Sequence, residues 1–254
     1  MKKIICIALC LVMTAGLLTG CGSKSNTSQT GTNTKSSANI PALESAAMKT
    51  NLSQDEYTLY QNIFYNGQKN DFDKKSVKKE GTFATLHDAF NNVTRYYVWG
   101  YLDNTNCCDW QWELKFDNEE NIPANGSYIE VEGVYEVSTD ALDGLWIINP
   151  KVTVKESYAD RGYDIDMCSM SDTLQYVEIQ NIVNMADYFK DKTVCGYGRM
   201  ESDSSIQDAY YDSKWSVEIE TDSKIPAFGT IVVFTGLCDG GMIKDCKIYQ
   251  NTQY

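Results

Sequence analysis

Polar and apolar residues alternate with a period of two along several stretches of this chain. Trp110, Trp112, Leu114 and Phe116 alternate with Gln111, Glu113 and Lys115, and Ile129 and Val131 with Glu130 and Glu132. Further on, Trp215, Val217 and Ile219 alternate with Ser216, Glu218 and Glu220. Successive side chains of a strand point to opposite faces, so each run predicts a strand with one face in a core and one in water. Further strands are predicted through Tyr97, Val98 and Trp99, over 146–154 and over 242–249. A different period marks 52–66. There Ser53 and Glu56 have capping-box spacing, Tyr57, Tyr60, Ile63 and Phe64 form an apolar stripe, and Gly67 can close a helix. This helix is expected to pack on the first β unit as structure only.

The same unit occurs twice. Residues 112–134 align without a gap on 215–237, at a constant offset of 103. The identities are the tryptophan, the Ile-Pro-Ala of Ile122-Pro123-Ala124 and Ile225-Pro226-Ala227, and the pairs Gly126/Gly229 and Gly133/Gly236. With small gaps, Leu86-His87-Asp88-Ala89-Phe90 faces Met185-Ala186-Asp187-Tyr188-Phe189, and Asn149-Pro150-Lys151-Val152 faces Asp245-Cys246-Lys247-Ile248. Two copies with a period near 100 mean two homologous domains, not a solenoid. Each copy reads as a short helix (86–91 or 185–190), a strand, the Trp strand, a Pro-Ala-x-Gly turn, another strand and a last strand.

About five strands in each short unit suit a small closed barrel, which leaves no exposed edges. The strand order, with a Pro-Ala-x-Gly turn before a Val-rich strand, resembles the oligonucleotide/oligosaccharide-binding (OB) fold; a compact β-sandwich is the alternative. The expected fold class is therefore mostly β: two tandem five-stranded OB-like barrels, each with a short helix, plus an N-terminal helix.

The N-terminus carries an address. Met1-Lys2-Lys3 precedes the apolar run 4–13 and then small residues, the layout of a secretory signal too short to span a bilayer. The run ends in Leu18-Thr19-Gly20-Cys21, which resembles the lipobox of bacterial lipoproteins. That resemblance implies a diacylglycerol group on the Cys21 thiol and cleavage before it; two acyl chains give stable anchoring where one binds only marginally. Residues 22–40 are rich in Ser, Thr, Asn, Gly and Lys without apolar periodicity, and read as a flexible tether with a reach of roughly 25 Å. The expected organisation is a signal at 1–20, a lipidated tether at 21–50, a first domain with its helix at 51–158 and a second at 159–254. The expected location is the extracytoplasmic face of the membrane.

Charge and cysteine content narrow the chemistry. The formal net charge is −13, and loss of the two cations Lys2 and Lys3 with the signal makes it −15. That argues against nucleic acid as a partner, because phosphate backbones reward clustered Lys and Arg. Six cysteines lie beyond Cys21: Cys107, Cys108, Cys168, Cys195, Cys238 and Cys246. None has Cys-x-x-Cys spacing. An even number outside the cell permits disulfides, with the pairing left open; Cys195, Cys238 and Cys246 are expected in strands as buried thiols or one bridge.

Cys107-Cys108-Asp109 falls on the loop entering the Trp strand, opposite Tyr210-Tyr211-Asp212 at the constant offset. Adjacent Cα atoms are about 3.8 Å apart, below the usual ~4.4–6.8 Å for a disulfide. Reduced, the two thiolates with Asp109, and Glu113 further along, would take zinc or copper. This stretch also resembles the Cys-Cys-containing extracytoplasmic domain of a bacterial family of permease subunits. That resemblance implies partnership with membrane transport machinery, although this chain differs in having a lipid anchor and no membrane spans. His87, the only histidine, is expected on the surface. Ser76-Val77-Lys78-Lys79 has Ser-x-x-Lys spacing but falls in what reads as a lysine-rich linker.

No motif of an enzyme occurs, and no enzymatic activity or resident cofactor is expected. The remaining candidate is an aromatic face: Tyr97, Trp99 and Tyr101 share one side of a strand, with Trp146 near in a barrel. Such rings could hold a glycan or peptide. The expected role is a non-enzymatic binding or accessory module for an envelope protein or transporter; the alternative is a metal-binding or redox protein using Cys107 and Cys108.

Overall fold

The computed structural model describes residues 54–102, 108–158, 161–209 and 215–250. The signal, Cys21, the tether, Ser53, Cys107 and the Tyr210-Tyr211-Asp212 stretch lie outside them. The described chain is mostly β, with few helices and two sheets.

The first sheet has five strands, β1 (Ser76–Asp88), β2 (Val93–Tyr101), β3 (Asp109–Lys115), β4 (Tyr128–Val137) and β5 (Leu145–Glu156). They pair in the order β1-β2-β3-β5-β4 and close into a barrel through β1 and β4. Every pairing is antiparallel except β3 with β5. Phe83, Val98, Trp110, Trp112, Leu114, Ile129, Val131, Leu145 and Ile147 fill the interior. Helix α1 (Gln54–Phe64) packs on this core: Ile63 is buried in it, and the rings of Tyr60 and Phe64 lie 5.9 and 5.0 Å from that of Trp112.

The second sheet comprises β7 (Thr193–Ser202), β8 (Ser205–Gln207), β9 (Ser216–Glu218), β10 (Ile231–Asp239) and β11 (Met242–Gln250), with the short β6 (Ile165–Asp166) beside β7. Its order, β11-β10-β7-β8-β9, matches the first, and one parallel bridge between Ile219 and Ile243 joins the far ends. A 3-10 turn (Met167–Ser169), α2 (Asp172–Asn184) and α3 (Ala186–Phe189) lie between β6 and β7.

The internal repeat is visible atom by atom. The turns at Gly126 and Gly229 have φ of +84° and +82°, and their amides donate to the carbonyls of Phe83 and Met200. Both sheets carry a register shift at the second glycine pair, Gly133 and Gly236, opposite Asn149 and Asp245, each with φ of +49°. Gly81 and Gly198 are also equivalent. A Cβ on either would lie 2.5 Å from a backbone carbonyl oxygen, of Trp99 or Gln207, and within 3.0 Å of the Trp110 or Trp215 ring.

That last match corrects the sequence alignment in the Trp strand. Trp215 is equivalent to Trp110, not Trp112, because Val98 pairs with Trp112 while its counterpart Ile206 pairs with Val217. The ungapped offset is off by two there, and a shift of two keeps every side chain on its proper face. It also withdraws the supposed match of Cys107-Cys108-Asp109 with Tyr210-Tyr211-Asp212.

Two further expectations are corrected. Residues 76–80 are not a linker but the first half of β1; Lys79 points inward and its ammonium reaches Glu56 of α1 at 3.1 Å. Residues 86–91 are not a helix but the end of β1 and its turn to β2. The alternation through Ala84, Leu86 and Asp88 continues the strand, and Asp88 accepts bonds from the Asn91 amide and side chain. The other short helix expected, over 185–190, is present as a helix at Ala186–Phe189.

Candidate functional site

The outer surface of β1, β2 and β3 is where the predicted aromatic site falls, and the second half of the chain covers it. Tyr97, Trp99 and Tyr101 are all buried in one cluster with Leu174, Ile179 and Ile182 of α2 and with Met167 and Met170. The Trp99 Nε1–H donates to the Ser169 carbonyl at 2.8 Å. Trp146 is half-buried, in register with Glu113, and carries Lys115 over its ring at 5.1 Å. The structure thus brings Tyr97, Trp99 and Tyr101 together, but as the floor of an internal interface.

The sequence reading missed α2, which makes that interface. Ser171 caps it, accepting from the Leu174 amide at 3.2 Å. Its buried residues are Leu174, Gln175, Glu178, Ile179 and Ile182, a broad wedge and not one stripe. The polar ones are tied down. Gln175 donates to the Met170 carbonyl, and the Ser171 hydroxyl approaches Gln111 of β3.

Asp109 belongs to the same interface. Its two carboxylate oxygens accept from the Thr173 amide and hydroxyl, at 3.0 and 2.8 Å, at the first turn of α2. A carboxylate suits that place, since the unpaired amides and the helix dipole both favour negative charge. Cys108 is exposed and Cys107 lies outside the described residues. The third residue of the predicted metal set is therefore engaged in holding a helix.

His87 is not a surface residue. Its ring Nδ1 lies 2.7 Å from Glu178 Oε1, its amide donates to Glu178 Oε2 at 2.9 Å, and its carbonyl accepts from Asn181 at 2.8 Å. The ring also stands edge-on to Phe189. Glu178 is fully buried, and burial raises its carboxyl above the ordinary value of 4.5 despite the bonds from His87. A carboxyl raised in the folded state supports folding below its unfolded value and loses that support as the pH climbs through the folded one. Glu178→Gln can still accept from the His87 amide and donate to the ring. It is expected to flatten the fall in stability above pH 4.5, read from urea midpoints at pH 5 and pH 8. His87→Ala, which strips the ring from the buried carboxylate, is expected to cost about 2 kcal/mol.

A second buried polar group joins the β1–β2 turn to the β4–β5 connection. Arg95 bonds Asp88 through Nε and Nη2 at 2.8 and 2.7 Å, and Glu113 through Nη1 at 2.7 Å; Nη1 also reaches the Asp140 carbonyl. Glu113 in turn accepts from the Leu142 amide. Burial opposes the charge on Asp88, yet hydrogen bonds from Asn91 and Arg95 hold its carboxyl below the usual range. Nearby, burial raises Asp143, with Gln111 opposing and the Glu113 charge reinforcing the shift.

Cys195, Cys238 and Cys246 are buried on strands β7, β10 and β11. Burial pushes both the Cys238 and the Cys246 thiol up to about 12, which leaves them protonated at neutral pH. Among the described residues one group places three potential metal-ligand atoms within 4.8 Å of one another: Asp166, Cys168 and Cys195. A shallow groove of about 410 Å³ lies between the β3–β4 loop and β5, where Asp117 and Asn121 face Asn149 and Lys151.

No protein-family model and no curated protein sequence matches the chain. Among solved structures, asparaginyl-tRNA synthetase from Pyrococcus horikoshii is similar over 46% of this chain and 31% of its own, at 13% identity and a TM-score of 0.26.

Proposed function

We propose that the chain is a lipid-anchored extracytoplasmic lipoprotein whose folded part is a non-enzymatic binding or accessory module serving a protein of the cell envelope, such as a transporter. The observation that carries the reading is Leu18-Thr19-Gly20-Cys21 at the end of an apolar run, followed by a polar tether and then a folded body. Both sheets are read as OB-like barrels, from the shared strand order and the shared turn and register shift.

The geometry supports a scaffold over a pocket. An OB barrel offers a ligand the face of its second and third strands, and in the first barrel that face is taken by α2. The acids and bases beneath it are spent on internal contacts: His87 on Glu178 and Asp109 on Thr173 between the halves, and Arg95 on Asp88 and Glu113 within the first sheet. Exposed apolar groups remain on the turns, Phe90 after β1 and Leu142 before β5, and these suit a protein partner better than a sugar.

The test is the anchor. Expressed with its signal in bacteria fed labelled palmitate, the chain should carry label and enter the detergent phase on partition. Cys21→Ser should lose both properties. An unlabelled wild-type chain that stays in the aqueous phase would overturn the reading.

A further inference from the structure

The Cys168 and Cys195 sulfurs are 3.5 Å apart, the two elements that carry them are locked together, and nothing in the interface or the proposed anchor uses them. Strand β6 runs parallel to β7 with Asp166 opposite Cys195. The 3-10 turn after β6 then carries Cys168 back over β7, fixed by the Ser169 hydroxyl donating to the Asp166 carbonyl and by the Met170 amide donating to that of Met167. Cys195 is buried, and the Cys168 sulfur packs directly against it.

Two chemistries suit a thiol pair at contact distance: a metal or a covalent bond. The third potential ligand, Asp166, is already paired with Arg161, whose Nη1 lies 2.9 Å from its Oδ1. A divalent ion would have to sit beside that guanidinium. A structural zinc also needs four ligands, and among the described residues three gather here. Bond formation needs only that the sulfurs close from van der Waals contact to about 2.05 Å, within reach of small side-chain rotations.

We propose that Cys168 and Cys195 form a disulfide, made by a dithiol–disulfide exchange partner of an oxidising compartment. The Cys168 thiolate attacks a sulfur of the donor disulfide, breaking the donor S–S bond and releasing one donor thiolate. The Cys195 thiolate then attacks the Cys168 sulfur of the mixed disulfide and expels the second. The two cysteines together lose two protons and two electrons, and the donor leaves as a dithiol. Because the contact with the Cys195 thiol, together with burial, raises Cys168 well above an ordinary cysteine, exchange belongs to the folding chain, before the pair is enclosed. The bond would close a segment that contains all of α2 and α3 and so staple the interface helix to the second sheet. The presence of an oxidant in the cell rests on the proposed extracytoplasmic address; the fitness of the pair does not.

The experiment is peptide mapping of the full chain purified from the envelope after immediate alkylation, with a second sample refolded with oxidised glutathione. A reducible link between the tryptic peptides 162–190 and 193–199 is expected in both. The oxidised protein should melt roughly 10 °C above its reduced form, and Cys168→Ser should melt with the reduced form whether or not reductant is present. Free thiols at both positions in both samples would overturn the proposal, as would one zinc ion in the native mass spectrum that Cys168→Ser abolishes. A link found after refolding but not in the envelope sample would uphold the pair and count against the address.

Discussion

Replacing Arg95 by methionine is expected to cost about 3–5 kcal/mol at pH 7, because it leaves two buried carboxylates facing one another without their cation. The guanidinium bonds Asp88 and Glu113 at the same time, and all three side chains are nearly enclosed, at 9, 11 and 4% exposure. Methionine keeps much of the apolar stem, so most of the loss is electrostatic. The pH dependence separates that cause from packing. In the wild type Asp88 sits below its ordinary value of 3.8, so its contribution is present at neutral pH and fades as the pH falls through the folded value. In the variant the same carboxyl, buried without a partner, is raised, and the penalty lifts as it protonates. The stability gap between the two proteins should therefore narrow between pH 7 and pH 4, as read from urea midpoints. A gap that stays constant would assign the loss to the stem.

Trp99→Ala is expected to cost a similar amount, about 3–5 kcal/mol, as for other buried aromatic residues cut to alanine. The Ser169 carbonyl would also lose its donor. Trp99 belongs to the first sheet and Ser169 to the approach to α2, so the damage falls on the interface. Trp99→Phe keeps most of the ring and loses the hydrogen bond; it should cost about 1 kcal/mol beyond its lost area. Denaturant titration followed separately by near-ultraviolet absorbance and by far-ultraviolet dichroism measures both. If the interface is a shared core, the two signals should move together to lower denaturant in each variant. Separation of the two signals in Trp99→Ala would mean that the halves fold independently.

Much of the fold could be read from residue order, and the exceptions have physical causes. The period-two runs gave β3, β4 and β9, and the Tyr60, Ile63 and Phe64 stripe gave α1, because each has one face in a core and one in water. The further strands through 97–99, over 146–154 and over 242–249 fell in β2, β5 and β11, and the repeat unit supplied β10. Strand β1 escaped because its first half reads Ser-Val-Lys-Lys-Glu. Only the barrel interior reveals that Lys79 reaches inward to a carboxylate on α1, its ammonium over the Trp110 and Trp112 rings. Helix α2 escaped for the opposite reason. It is wedged between two surfaces, so Gln175 and Glu178 are buried beside Leu174 and Ile179 and no single stripe forms. Its β-branched residues, Val177, Ile179, Ile182 and Val183, also favour a strand in isolation. The one usable signal was Ser171 three residues before Leu174, a cap with an acidic first turn.

The site followed the same logic. Tyr97, Trp99 and Tyr101 were legible as a shared aromatic face, but what covers that face lies some 70 residues away and was the missed helix. His87 and Asp109 were misread for that reason too, since their partners Glu178 and Thr173 are both on α2. The Cys168 and Cys195 pairing depends on a two-residue parallel strand, far too short to show in any pattern.

Helix α2 joins the two sheets into one cooperative body, and scanning calorimetry of the purified chain tests this most directly. One transition, with calorimetric and van't Hoff enthalpies in a ratio near 1, is the predicted result. Two resolved transitions, one for each sheet, would contradict it. They would also leave the aromatic face of the first barrel free to open towards a ligand.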